Sequence, residues 1–398
     1  MRRSQIAPGV HLSYDAAQKF NRCRISIHFA FPARRETATA HALLPLVMER
    51  GYADCPDMTQ MTKKLARLYG ADLTVDARPM GCSHNLCVSI TGIKDQFALE
   101  GEKLTQEYAA LALGTAFHPY FVGSTFDPEA VGIEKQMLKK ALEDEVNDKR
   151  LYCQRQANRE FFGDSPAGVR QEGYLEEVDG LTPEALTEAY YEMLRTANIE
   201  LIVLGCDEAS TTAVKDALLT ELSAMTAPRC PGRRTSPCPG GSRCGRWSIS
   251  TPRRPSSVCC SRWAGPCSLK QLAAVRLAMA LYGGSVTSRL FLTSGSATIC
   301  ATTARRPSRA SRAAWPSTAA SSTPDAARAE QAVLKELADL CDGPITDEEL
   351  EDCPPGPAGR DERPGGYAGA ASRHGTIWRC CGAARCRRRT TPAAPCWL

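Results

Sequence analysis

Leu43–Asp57 reads LLPLVMERGYADCPD, and Leu68–Ala71 reads LYGA. An apolar run followed by Arg50-Gly51 predicts a helix over Thr39–Met48 that stops at the glycine. Pro45 must then sit in its first turns or kink it. Met58, Met61, Leu65 and Leu68 are spaced 3, 4 and 3 apart, which predicts an amphipathic helix over Asp57–Tyr69 closed by Gly70. Upstream, Arg24–Phe31 (RISIHFAF) alternates apolar and polar residues, the pattern of a half-buried strand. Downstream, Ala71–Ala77 and Asn85–Thr91 (NLCVSIT) read as paired strands, and Asp95–Leu113 reads as a helix. Asp127 with Pro128 opens a long helix expected to run to about Phe162. Thr182 caps another helix, Glu200–Gly205 is a strand and Ala209–Met225 is the last helix. The order β-α-α-β-β-α-α-α-β-α predicts an α/β (α+β) domain, one sheet backed by helices.

The whole-chain averages are ordinary: 398 residues, net charge +5, 43% hydrophobic and 23% charged. They exclude global disorder and collagen-like sequence. No apolar run approaches the roughly 20 residues of a bilayer-spanning helix. The N-terminus is basic but has no continuous apolar segment behind it, so no secretory signal and a cytoplasmic location are expected.

A break lies near residue 225. Residues 1–225 hold 6 of the 19 cysteines, 14 Arg, 10 Lys and no Trp; residues 226–398 hold 13 Cys, 23 Arg, 2 Lys and all 5 Trp. From Thr226 to Pro324 there is no Asp or Glu, unlike a folded surface, which mixes both signs. A disulfide-rich module is disfavoured without a secretory signal. A basic tail that binds nucleic acid fits the arginines but not the tryptophans or Cys259-Cys260. A shifted reading frame in a GC-rich gene fits both, and it requires normal islands where the frame returns. Ser268–Leu292 and Asp325–Cys353 are such islands; they hold both lysines, Lys270 and Lys335, and 10 of the 12 acids. The expected organisation is therefore a domain at 1–225 and a damaged second domain at 226–398. Its islands, 268–292 and 325–353, should be helical and the rest irregular; regular strands packed in a common core there would contradict the frame shift.

The strand Arg24–Phe31, the R-G-x-x-x-x-P-D and L-Y-G-A segments, the helix Glu134–Lys149 (EKQMLKKALEDEVNDK) and Phe162–Pro166 together resemble peptidase family M16, the insulinase, pitrilysin and processing-peptidase group. Leu281–Leu292 (LYGGSVTSRLFL) resembles that family's second-domain motif. The resemblance implies two α/β domains around a chamber. It also implies an H-x-x-E-H zinc motif, in which two histidines one turn apart hold zinc and the glutamate activates its water.

That motif is absent. The six histidines are His11, His28, His41, His84, His118 and His374, and no two are four apart. Aligned on His41, Leu44 stands at the glutamate and Pro45 at the second histidine. Aligned on Gly51, the three positions hold Ala42, Pro45 and Leu46. His41 therefore reads as a structural residue. Glu143, Asp144 and Glu145 lie where the family draws a third ligand, and with Lys139, Lys140, Lys149 and Arg150 they read as a solvated charged face. Cys82 and Cys87 read as buried thiols, and Gly283-Gly284 is no phosphate loop. No catalytic, cofactor-binding or metal-ligating residue is assigned.

Asp148-Lys149 after the long helix, with A-L-L-P-L-V, most resembles the short bacterial YfmF-type branch without the zinc motif. That branch's link to elongation factor P modification is implied by the resemblance alone. The expected function is a non-catalytic M16 homologue that binds peptide or pairs with an active M16 zinc peptidase, with no membrane or nucleic-acid partner. The alternatives are a zinc endopeptidase and an Arg-rich nucleic-acid-binding tail.

Thr293–Thr303 (TSGSATICATT) follows S-R-L-F where the family places a substrate-binding Arg and Tyr. Back-translated and shifted by one base, it can read N-V-R-E-R-x-x-L-C-Y-Y. Resequencing the coding DNA from codon 220 to the stop should reveal single-base differences that restore an acid-containing second domain. An unchanged frame refutes this reading.

Overall fold

The central strand β3 (Arg22–Pro32) alternates apolar and polar side chains, with Ser26 also buried. Cys23, Ile25, Ile27, Phe29 and Phe31 are buried, whereas Arg22, Arg24, His28, Ala30 and Pro32 are exposed or half-buried. A period of two turns each successive side chain to the opposite face of the sheet. The structure is a computed structural model. It describes residues 2–15, 21–148, 152, 155, 156, 159, 162–225 and 229–231, then the shorter stretches 245–249, 256–262, 277, 278, 280–284, 287–294, 300–304, 314–320, 331, 335–340 and 342–351.

The chain divides into two compact units, Met1–Val146 with Asp164–Cys238, and Asn147–Gly163 with Pro239–Leu398. In the first, β1 (Arg2–Ala7) and β2 (Val10–Asp15) precede β3. Helices α1 (Ala38–Arg50) and α2 (Met58–Arg67), strands β4 (Asp72–Pro79) and β5 (Ser83–Ile93), and helix α3 (Leu104–Phe117) follow. A small hairpin of β6 (Phe121–Val122) and β7 (Thr125–Phe126) leads into α4 (Pro128–Glu143). The unit closes with α5 (Pro183–Thr196), β8 (Asn198–Leu204) and α6 (Glu208–Ala224). The six-stranded sheet runs β1-β2-β8-β3-β5-β4. Only β2 with β8 is parallel; the other neighbours are antiparallel.

Local chemistry sets the helix starts. The Asp57 carboxylate accepts from the Gln60 amide at 2.8 Å, Thr182 Oγ1 from Ala185 at 3.2 Å and Asp207 from Ser210 at 2.6 Å. Asp127 accepts from Glu129 and Ala130, with Pro128 at the first helical position. Each such cap contributes about 1 kcal/mol. The helices bury their apolar sides on the row from β3 and its neighbours, in a core that includes Leu43, Leu44, Met48, Leu86, Leu111 and Tyr190.

Three expectations need correction. The N-terminal hairpin β1–β2 was not foreseen; Val10, Leu12 and Tyr14 alternate, but β1 is an exposed edge with no apolar row of its own. The long helix is interrupted rather than continuous: α4 ends at Glu143, a 3-10 turn follows over Asp144–Asn147, and residues 152, 155, 156, 159 and 162 are again helical. The first unit also continues past residue 225. The Arg229 guanidinium donates to the carbonyls of Leu194 and Ala197, and the Cys230 amide donates to Arg195 at 2.9 Å.

In the second unit, β9 (Gly245–Ile249), β10 (Ser256–Arg262), β11 (Cys300–Ala304) and β12 (Ala314–Ala320) form an antiparallel sheet in the order β11-β12-β10-β9. The expectation of irregular chain at 226–267 and 293–324 is therefore corrected where those segments are described, and regular strands there count against the frame-shift reading. Ladder bonds join backbone groups, so a biased side-chain composition does not forbid strands. Segment 354–398 lies outside the described residues. The unit's described helical pieces include a π-helical turn at Ala280–Gly284, α7 (Arg289–Ser294) and α8 (Asp347–Glu351). Arg289 pairs with Glu349 at 2.6 Å. Among the described residues, no helix is long and apolar enough to cross a membrane.

Gly92 offers a direct test of the core of the first unit. A Cβ there would stand 2.3 Å from the Tyr108 hydroxyl oxygen, and Tyr108 is 1% exposed. Gly92→Ala should therefore lower unfolding stability by about 2 kcal/mol, as overpacking does, read as a fall in the urea midpoint.

Candidate functional site

The first half of α1 is where a zinc motif would stand. Thr37 precedes the helix without a capping side-chain bond, and Pro45 lies inside it. Proline has no N–H, so the His41 carbonyl lacks its usual intrahelical donor. Leu44 is fully buried and Pro45 is buried with it. His41 is 5% exposed, and its ring packs on Phe31 at 4.5 Å between centroids. Neither of its ring nitrogens makes a hydrogen bond. Burial, with His84 nearby, lowers its pKa to about 4, and the neighbouring Ala189 backbone offsets this only in part. His84, on β5, is buried with its ring centroid 6.2 Å from that of Phe31, and burial lowers its pKa as well. The sequence held no sign of this pairing, because the two histidines come from different elements.

Over the start of α1 lies the segment from Arg170 to Tyr174. The Tyr174 amide donates to Thr39 Oγ1 at 3.2 Å, and that hydroxyl donates to Glu177. Arg35 pairs with Glu177 and stacks on the Tyr174 ring at 3.3 Å. Gly173 has φ +77°, and a Cβ on it would stand 2.8 Å from Thr39 Cα. The Gln171 side chain donates to the Ala77 carbonyl at the end of β4. Arg170 donates to Glu145.

Glu145 corrects one expectation. Glu143 and Asp144 are exposed, but the Glu145 side chain is only 5% exposed and ion-paired with Arg170. It is not part of a solvated face. Cys82 corrects another, being disulfide-bonded rather than a thiol. Cys87 remains a buried thiol.

These residues do not fit zinc. One motif position is a neutral, apolar-packed imidazole, and others are the core residues Leu44 and Pro45. The buried carboxylate already carries a guanidinium. Among the described residues, no group of three or more His, Cys, Asp or Glu is placed to hold a metal ion.

On the opposite face of the sheet, His28 Nε2 lies 3.7 Å from Cys87 Sγ and Nδ1 lies 3.1 Å from Asn85 Nδ2. This resembles a nucleophile with its base and orienting amide, but the electrostatics oppose it. Burial pushes the Cys87 thiol up to about 11 and lowers the His28 pKa. A thiolate–imidazolium pair needs the reverse shifts. Two grooves of about 620 and 700 Å³ lie elsewhere, sharing the His118–Glu221 pair, whose Nε2–Oε2 separation is 2.8 Å.

No family model matches the chain. A probable inactive metalloprotease of Bacillus subtilis, YmfF, is 24% identical over 188 residues, covering 47% of this chain. The match spans 44% of that relative's length. Among solved structures, a conserved protein from Enterococcus faecalis superposes with a TM-score of 0.74 at 20% identity, covering 88% of this chain and 82% of the other. A peptidase M16 inactive domain from Pseudomonas fluorescens gives 0.69 at 13% identity, covering 96% and 87%. A protease from Helicobacter pylori gives 0.66 at 11%, covering 88% and 82%. At these identities the structures establish the fold. The fold is of the M16 peptidase type, and the chain is an M16-like protein without the zinc-binding motif.

The His41 ring makes an acid-stability prediction. In the unfolded chain it takes up a proton near the usual 6.5, and in the folded chain only at about 4. The unfolded state therefore binds more protons between those values, and the fold loses stability as pH falls through that window. The loss is about 3 kcal/mol when complete. Urea titrations from pH 7 to pH 4 should show a shallower loss for His41→Leu than for the wild type.

Proposed function

We propose that the chain is a non-catalytic M16-like subunit that pairs with an active M16 zinc peptidase or holds peptide for it. The observation that supports this reading is the occupation of the motif region: His41 seated on Phe31, Leu44 and Pro45 in the core, and Glu145 neutralised by Arg170. Each of these contacts occupies a position where a peptidase would need a ligand or a base. Truncating Arg170 would remove an ion-pair partner of buried Glu145 and should lower stability. The relative's designation as probably inactive agrees with this reading. In such a pair, the partner supplies zinc, its ligands and the general base, while this chain supplies binding surface.

The test has two arms. Elemental analysis of the purified chain should find zinc far below one equivalent, and the chain alone should cleave no peptide. Co-purification from its native cell should recover a homologue that carries H-x-x-E-H. Stoichiometric zinc lost in His41→Ala would overturn the proposal in favour of a zinc endopeptidase.

A further inference from the structure

Two grooves in the helical layer of the first unit have no part in the motif region. One, about 620 Å³, lies along α3 and α6, which pack together. The other, about 700 Å³, is bounded by α5 and the end of α6. Both are lined by His118 and Glu221, whose side chains meet at 2.8 Å, so the grooves join there as one trough. Each wall is a single helical stripe. α6 presents Ala213, Ala217, Glu221 and Ala224. α3 presents Gln106, Ala110, Leu113 and Phe117, and α5 presents Glu184, Glu188, Tyr191 and Arg195. Steps of three and four residues keep side chains on one face of a helix. From Ala213 to Met225 the trough is about 18 Å long, at a rise of about 1.5 Å per residue.

The first half of the trough is small and apolar. Ala110 and Ala213 are exposed and carry only a methyl group, so another backbone can come close. The second half adds Tyr191, which is 46% exposed and whose ring packs on Tyr190 at 5.3 Å and Phe121 at 6.2 Å. The charge is one-sided. Among the described residues that line the trough, the carboxylates of Asp54, Glu184, Glu188 and Glu221 stand against the Arg195 guanidinium and the His118 ring. Glu221 is taken by His118, and no salt bridge reaches Asp54, Glu184 or Glu188 from any described residue. The whole chain carries net charge +5, so this acidic strip departs from the average surface. The walls also decide the form of an occupant. Helices pair their backbone groups internally, so α3, α5 and α6 offer an extended peptide no ladder. A strand buried there would leave its own amides unpaired, whereas a helix arrives with them satisfied.

We propose that this trough docks a basic amphipathic helix of a partner protein. The helix lays its small and apolar residues along α6, with anchors at i, i+3, i+4 and i+7. Its Lys or Arg side chains reach Asp54 at one end and Glu184 and Glu188 at the other, the carboxylates that the chain itself leaves without a cation. A cation placed between Glu188 and Tyr191 gains the attraction of the ring face in addition to that of the carboxylate.

The test uses the full chain and a fluorescein-labelled synthetic helix of about 14 residues, long enough to span the trough, with Ala and Leu on one face and Lys on the other. Binding is followed by fluorescence anisotropy, beside one peptide with every Lys replaced by Glu and one with the Lys sequence scrambled. The Lys helix should bind saturably, and the other two roughly tenfold more weakly. Ala213→Trp fills the floor at an exposed position and should weaken the Lys helix roughly tenfold. Glu188→Lys should weaken it as well and strengthen the Glu helix, a reversal that loss of folding cannot produce. Absence of saturable binding, equal binding of the Lys and Glu helices, or binding that neither substitution changes overturns the proposal. Self-association of the chain that Ala213→Trp abolishes overturns it too, because the trough then belongs to a second copy.

Discussion

A one-residue slip of β3 would turn Ile25, Ile27, Phe29 and Phe31 to the polar face and carry Ser26 and His28 into the core. Four large apolar side chains, each at most 2% exposed, would then lose their burial. At about 25 cal/mol per Å² this is several kcal/mol, a large fraction of a domain's net stability. β3 is also paired on both sides, with β5 along its whole length and with β8 from Arg24 to Ala30. Its register therefore places everything else in the first unit. It packs Phe31 against His41 of α1, sets His84 opposite it in the ladder and leaves Arg24 and His28 on the opposite face.

The same packing draws the stretch of α1 where the resemblance places the zinc motif into the core. A zinc site needs polar donors held open towards a cleft. Here the equivalent stretch is consumed by the core. The carboxylate that remains, Glu145, is buried with a guanidinium on it. A buried ion pair is poor evidence for added stability, because desolvation opposes the attraction. It is better evidence for geometry: the pair ties the 3-10 turn after α4 to the segment that lies over Thr39.

The chemistry of single residues was legible where it acts locally. Asp127 and Thr182 were read as helix caps and are, and Asp57 and Asp207 cap in the same way, because a short polar side chain reaches an amide two or three residues ahead. The alternation of β3 and the spacing of α2 were equally plain. The interruption of the long helix after Glu143 was not, since nothing local in the sequence marks it. The strands of the second unit were missed for a different reason. Composition reports side chains, while a ladder is made by the backbone.

The sequence by itself determined the β-α-α-β-β framework, the buried helix start at His41 and the loss of H-x-x-E-H, since each depends on residues within a few positions of one another. Only the tertiary structure decided the parallel pairing of β2 with β8, the packing of two histidines on Phe31 and the pairing of Glu145 with Arg170. These contacts join residues far apart in the chain. Sheet register and helix docking bring them together, and no local spacing encodes them.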